Sequence, residues 1–187
     1  MKIVNTWRYI MAKSKIEKIQ AGIEKYQYLR QLLFTTDVSI NQDFQRTFNG
    51  FFRMGRRTEA YYKDYYQYLQ QNKNVGISFS EALTYMYQKH GRLEMSFISK
   101  MVAIVNPSFP IWDSIVTKGH FGITAPYANA ENRLQKGIEK YEQYCRCYDM
   151  YMQSALAKEK IAEFEKLFPK ADLSDVKKLD FMLWQDR

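Results

Sequence analysis

Apolar residues recur at Ile16, Ile19, Ile23, Tyr26, Leu29 and Leu33. That three-and-four spacing predicts a helix from about Thr6 to Phe34, with Ala21-Gly22 as the place where it would break. Thr35 to Asn41 reads as a loop, Gln42 to Phe52 as a short helix, and Arg53 to Arg57 as a basic turn around Gly55. A tyrosine-rich helix is expected over Thr58 to Gln71, then a polar turn over Asn72 to Ser78. Ser80 is a suitable N-cap for a helix running to His90, and Gly91 suits its C-terminal stop. The pattern predicts further helices from Leu93 to Val105, after Asp113, over Ala128 to Ala157, over Lys158 to Phe168 and over Ser174 to Gln185. A glycine-containing turn covers Gly119 to Gly122, and Pro169 separates the last two helices. No strand-like alternation persists beyond a few residues, and no repeat or low-complexity segment interrupts the pattern. The expected class is all-α.

Two prolines alter this picture locally. In Asn106-Pro107-Ser108-Phe109-Pro110-Ile111-Trp112-Asp113 they push Asn106 and Phe109 out of helical geometry, so the chain must run extended. Asp113 is then a good N-cap for the next helix, at a position that favours negative charge. A stiff linker therefore presents a carboxylate at a helix start. The same residue serves equally as a plain cap. The helix before the linker is apolar nearly all round at Met101 to Val105, but Ser96, Ser99, Lys100 and Ala103 form a small polar stripe on it.

Length and charge narrow the class. The 187 residues suit one domain, possibly two lobes sharing a cleft. The net charge is +8, and all the excess lies in the first part: residues 1–100 hold 16 Lys and Arg against 8 Asp and Glu, whereas the remainder is balanced. A one-sided basic field suits a polyanion such as nucleic acid. Cys145 and Cys147 would point to different sides of a helix, and His90 and His120 add no zinc pattern, so no metal or other cofactor is expected. Few cysteines and a start interrupted by charge suggest a reducing, cytoplasmic setting. No apolar run approaches the ~20 residues of a membrane span, so no membrane partner is expected.

The segment from Phe109 to Val116 resembles the one that carries the catalytic aspartate in the helix-hairpin-helix DNA glycosylase superfamily, closest to its adenine glycosylase and endonuclease III branch. The likeness runs back without a gap to Gly91, which falls on the first glycine of the family hairpin, so it covers about 27 residues. It implies a two-lobed helical fold, a modified hairpin unit over residues 88–116, duplex DNA as partner, and Asp113 as the catalytic carboxylate. Lys89, His90, Gly91 and Arg92 would contact phosphate, because the family places DNA at the hairpin. Leu93 stands where the family has a second glycine, and Met95 where bifunctional members have a Schiff-base lysine. Lys100 lies about 140° further round the helix. The cluster-binding cysteines are missing. The implied activity is thus hydrolysis of an N-glycosidic bond, without lyase chemistry of the family type.

Other residues carry two readings each. Arg53, Arg56 and Arg57 can track a phosphate backbone or form a solvated turn. Lys100 can neutralise a phosphate, steady Asp113, or snorkel to the surface. The tyrosines from Tyr61 to Tyr68 can stack on extruded bases, but half of them belong in a core at that spacing. Trp112 and Trp184 are expected to be buried, and the last helix reads as a docking element without chemistry. Glu59, Asp64, Glu81 and Glu94 lack the spacing that would mark a second acid. Without one, the substrate would need a good leaving group, such as an alkylated cationic base. Two rivals stand beside the glycosylase reading: a nucleic-acid-binding module without catalysis, and a helical protein-interaction domain.

Overall fold

The structure, a computed structural model, describes residues 13–185. Within them the chain is all-helical. The order is α1 (Lys13–Thr35), α2 (Gln42–Phe51), α3 (Glu59–Asn72), α4 (Phe79–His90), α5 (Met95–Val105), α6 (Ser114–Phe121), α7 (Arg133–Met152), α8 (Ala155–Leu167) and α9 (Asp175–Leu183). The expected start of the first helix, residues 6–12, lies outside the described residues.

Most helix starts follow from a capping side chain. Asn41, Thr58, Ser78, Asp113, Ser154 and Ser174 each accept a backbone N–H from the first turn of their helix. Several boundaries differ from the sequence pattern. The turn expected from Gly119 is helical as far as Phe121, and only Gly122 closes α6. Ser78, not Ser80, caps α4. The expected long helix over Ala128 to Ala157 is shorter and broken: α7 stops at Met152, and Ser154 starts α8 by capping Ala157. An internal serine inside an apolar-periodic stretch was a new helix start.

The expected weak point at Ala21-Gly22 does not break α1. Gly22 is there for a close approach, since a Cβ on it would sit 2.9 Å from Cε1 of Phe181 in α9. At its far end, α1 is closed by Lys73, which donates to the carbonyls of Leu33 (2.7 Å) and Thr36 (2.6 Å).

Helix α5 is the centre of the core. From Met95 to Ile104 only Ser96 escapes full burial, and α5 packs against α4 and α1. Helix α7 covers α4 and supports α6, while α8 and α9 pack on each other. Aromatic rings fill much of the interior. Tyr61, Tyr65 and Tyr66 are core residues, whereas Tyr62 and Tyr68 are half-buried. Trp112 is buried as expected, but Trp184 is only half-buried.

Candidate functional site

The linker between α5 and α6 is where the chain must solve a hydrogen-bonding problem. Its carbonyls have no helical partners, and Pro107 and Pro110 bring no donors. Side chains from distant elements supply what is missing. Ser174 Oγ donates to the Pro107 carbonyl (2.7 Å), and Lys177 Nζ to that of Phe109 (2.9 Å). The hydroxyls of Tyr141 and Tyr144, on α7, donate to the carbonyls of Pro110 (2.9 Å) and Ile111 (3.2 Å). The Trp112 N–H donates to Ser99 Oγ on α5 at 2.9 Å. Just upstream, Arg30 of α1 donates to the Ile104 and Val105 carbonyls at 2.6 and 2.9 Å.

Lys177 is itself fixed. Its ammonium lies 2.5 Å from Asp180 Oδ2, and the other carboxylate oxygen accepts from Tyr148 at 2.9 Å. The sequence pattern gave the last helix no chemical task, yet it supplies two anchors for the linker. The signal was a lysine and an aspartate one turn apart among Val176, Leu179 and Leu183, an apolar face where charge needs a partner.

This clamp sets the position of Asp113. Trp112 packs edge-on to Tyr144, with ring centroids 5.6 Å apart. Asp113 follows, extended and half-buried. Its Oδ1 accepts the N–H groups of Ile115 (2.9 Å) and Val116 (3.4 Å), so it is the N-cap of α6. Its Oδ2 accepts no hydrogen bond from the described residues. Capping occupies one oxygen and leaves the other available.

Lys100, on α5, is the cation whose charge the Asp113 carboxylate feels. It is only 9% exposed, and its ammonium lies 5.3 Å from the centroid of the Phe97 ring. Burial pushes it down to about 8, against the opposing pull of Asp113 and then Glu94. The Lys100 stem is buried while its Nζ keeps contact with solvent, as a snorkelling lysine does.

Glu94 is bridged by two arginines: Arg57 Nη2 at 2.8 Å and Arg92 Nε at 2.9 Å. They hold its carboxyl below the usual range in spite of burial, which acts in the opposite direction. The Arg57 guanidinium also sits 4.8 Å from the Phe97 centroid, and its Nε is buried without a partner among the described residues. The Tyr61 ring packs on Phe97 and His90, and its buried hydroxyl is unpartnered among the described residues. Arg57, Tyr61 and Lys100 thus all pack on the Phe97 ring, and Glu94 joins them through its pair with Arg57.

The remaining hairpin residues are disposed differently. Lys89 Nζ and His90 Nε2 lie 2.8 and 3.0 Å from the two oxygens of Asp64. Gly91 closes α4 at φ +63°, and Arg92 is exposed. Leu93 packs toward α7 where Gly137 leaves room for it: a Cβ on Gly137 would sit 3.0 Å from Leu93 Cδ1. The residue in place of a second hairpin glycine therefore serves packing. Arg53 and Arg56 are exposed, and both adopt left-handed backbone, φ +52° and +63°.

No protein-family model, curated protein or solved structure matches this chain. The site has to be read from its own residues. Among the described residues, no three His, Cys, Asp or Glu side chains form a group that could hold a metal ion, and no helix is long and apolar enough to cross a membrane. Cys145 and Cys147 are free, and burial pushes the Cys145 thiol up to about 12, away from thiolate chemistry.

Proposed function

We propose that this protein is a DNA N-glycosylase, hydrolysing the bond between deoxyribose and a damaged or unusual base, with Asp113 as the carboxylate beside the sugar. The observation that carries this reading is the state of Asp113. It stands at the end of a segment clamped from α5, α7 and α9, with one oxygen bonded to the start of α6 and the other uncommitted. Breaking an N-glycosidic bond builds positive charge on the sugar, and a fixed carboxylate stabilises that charge and orients water. Rigidity matters because ~1 Å of misplacement can cost ~100-fold in rate.

The target nucleotide must leave the base stack before reaching such a site, at a cost of a few kcal/mol. Exposed Arg53, Arg56, Lys89 and Arg92 supply cations for the DNA backbone, with the Gly91 turn near them in sequence. The resemblance around residues 91–116 favours duplex DNA and a two-lobed arrangement with a cleft in front of Asp113. The basic excess in residues 1–100 agrees with a polyanionic partner.

The test is release of free base from duplexes carrying a panel of lesions, read as abasic sites. Wild type releases at least one base, and Asp113→Asn lowers that rate at least ~100-fold. No release on any lesion, or equal release by both proteins, overturns the reading. The binding-module alternative draws on Leu93, which removes the second hairpin glycine. It predicts salt-sensitive DNA retention with no base loss.

A further inference from the structure

Two arginines in the turn between α2 and α3 carry left-handed backbone, and helix closure explains one of them. Arg53, φ +52°, ends α2: the Met54 N–H returns to the Asn49 carbonyl at 2.8 Å, as a left-handed helix stop requires. Arg56, φ +63°, ends no helix. Gly55, between them, is not in the left-handed region, and a Cβ on it would meet nothing within 4 Å. The strain thus falls on an arginine while the glycine beside it is left bare. Strain of this kind persists where the surroundings impose it.

Here they do so through side chains. The Tyr62 hydroxyl, on α3, donates to the Met54 carbonyl at 3.1 Å. Arg57 Nη1 donates to the Arg56 carbonyl at 2.8 Å and reaches the Gly55 carbonyl at 3.5 Å. Arg57 is itself held from the start of α5, by Glu94 at 2.8 Å and by the face of Phe97. The carbonyls of Met54 and Gly55 therefore turn toward the protein. In a trans peptide the N–H points opposite to the carbonyl it follows, so the N–H groups of Gly55 and Arg56 turn the other way. Neither has an acceptor among the described residues, and both residues are exposed. Adjacent amides directed outward make a concavity for an anion. The exposed side chains of Arg53 and Arg56 belong to the same turn, and charge-assisted bonds to phosphate are strong. Glu94 is spent on Arg57 and Arg92, and Glu59 stands beyond the Thr58 cap, in the first turn of α3.

We infer that the Gly55–Arg56 backbone is a phosphate cradle, which holds one phosphodiester of a DNA strand by its two N–H groups while Arg53 and Arg56 neutralise the charge. The choice of DNA as the source of the phosphate rests on the reading above. Contacts of this kind set the register of a strand rather than its sequence. Glu94 joins the cradle to the hairpin, since Arg92 grips its other oxygen at 2.9 Å. A strand seated at Arg56 is thereby fixed relative to the start of α5.

The experiment records amide ¹H–¹⁵N spectra of the labelled protein during titration with a short DNA duplex, with inorganic phosphate, and with sodium chloride at matched ionic strength. The duplex at micromolar concentration moves the Gly55 and Arg56 amide protons downfield. Phosphate moves the same two at millimolar concentration, and chloride does not. Tyr62→Phe removes the hydroxyl that holds the Met54 carbonyl, alters no charge, and lowers duplex affinity about tenfold. Gly55→Val fills open space beside the two amides and lowers affinity by a similar factor. Thermal melting confirms that both variants fold. Duplex binding that leaves both amide signals in place, or that neither variant weakens, overturns the cradle while the glycosylase reading survives. Phosphate binding without duplex binding also overturns it, because the source is then a free anion. Amides that move with duplex in a protein that releases no base uphold the cradle while the glycosylase reading falls.

Discussion

Lys177 Nζ lies 2.5 Å from Asp180 Oδ2, one turn away on α9, and both side chains are almost wholly buried. The pair ties the last helix to the linker through Phe109 on the lysine side and to α7 through Tyr148 on the aspartate side. A buried pair is costly to break from one side, because the remaining charge is stranded. Lys177→Met is expected to lose about 3–5 kcal/mol in urea denaturation. The double variant Lys177→Met/Asp180→Leu should recover most of that loss, since apolar side chains can replace a buried pair at little net cost. It should not recover the linker anchor, so base release stays low. Equal destabilisation by the single and double variants would contradict this account.

Asp113 has two tasks that substitution can separate. Asparagine keeps an acceptor oxygen and caps helices as well as aspartate does. Asp113→Asn should therefore melt within ~0.5 kcal/mol of wild type while losing base release. Asp113→Ala also loses the bonds to Ile115 and Val116 and should cost about 1 kcal/mol. The two variants are compared by chemical denaturation at one pH.

Lys100 should make stability depend on pH. Its folded value of about 8 lies below the usual 10.5, so between these values the unfolded chain binds more protons, and stability rises with pH. The burden is fully present below pH 8. Lys100→Met has no proton to bind and should be more stable than wild type at pH 7 by about 1–3 kcal/mol. The gap should close as pH approaches 10.5. Parallel urea titrations at pH 7 and pH 10 measure it, and a gap that widens with pH contradicts the assignment.

The two left-handed arginines offer a trade between stability and binding. A non-glycine residue at φ near +60° is strained by roughly 1–2 kcal/mol. Arg56→Gly should stabilise the fold by up to ~1 kcal/mol and, under the proposed function, reduce the salt slope of DNA binding by about one unit. Gly91 is the converse. A Cβ there meets only open space, so the roughly 1 kcal/mol cost of Gly91→Ala comes from φ +63° alone.

Local rules made much of the helical layout legible. Asp113 as a cap, Gly91 as a stop and the extended linker all follow from short-range chemistry that one residue and its neighbours contain. The break between α7 and α8 was hidden, because Ser154 sits in a stretch whose apolar period continues on both sides. The clamp was hidden for another reason. Tyr141 and Tyr144 pair with Pro110 and Ile111 across more than 30 residues, and Lys177 with Phe109 across 68, so no local pattern announces them. For Lys100, the polar stripe on α5 marked it as unusual, but only the fold shows that its stem is buried against the Phe97 ring.

Because the linker is gripped from elements far apart in the chain, its geometry is a late event in synthesis. Helices α1 to α6 can form from their own caps and faces, but the carbonyls of Pro107 and Phe109 find their donors only once Ser174 and Lys177 have emerged and α9 has docked. A growing chain that has reached Val116 therefore holds the carboxylate and the amides it caps and not yet the position of either.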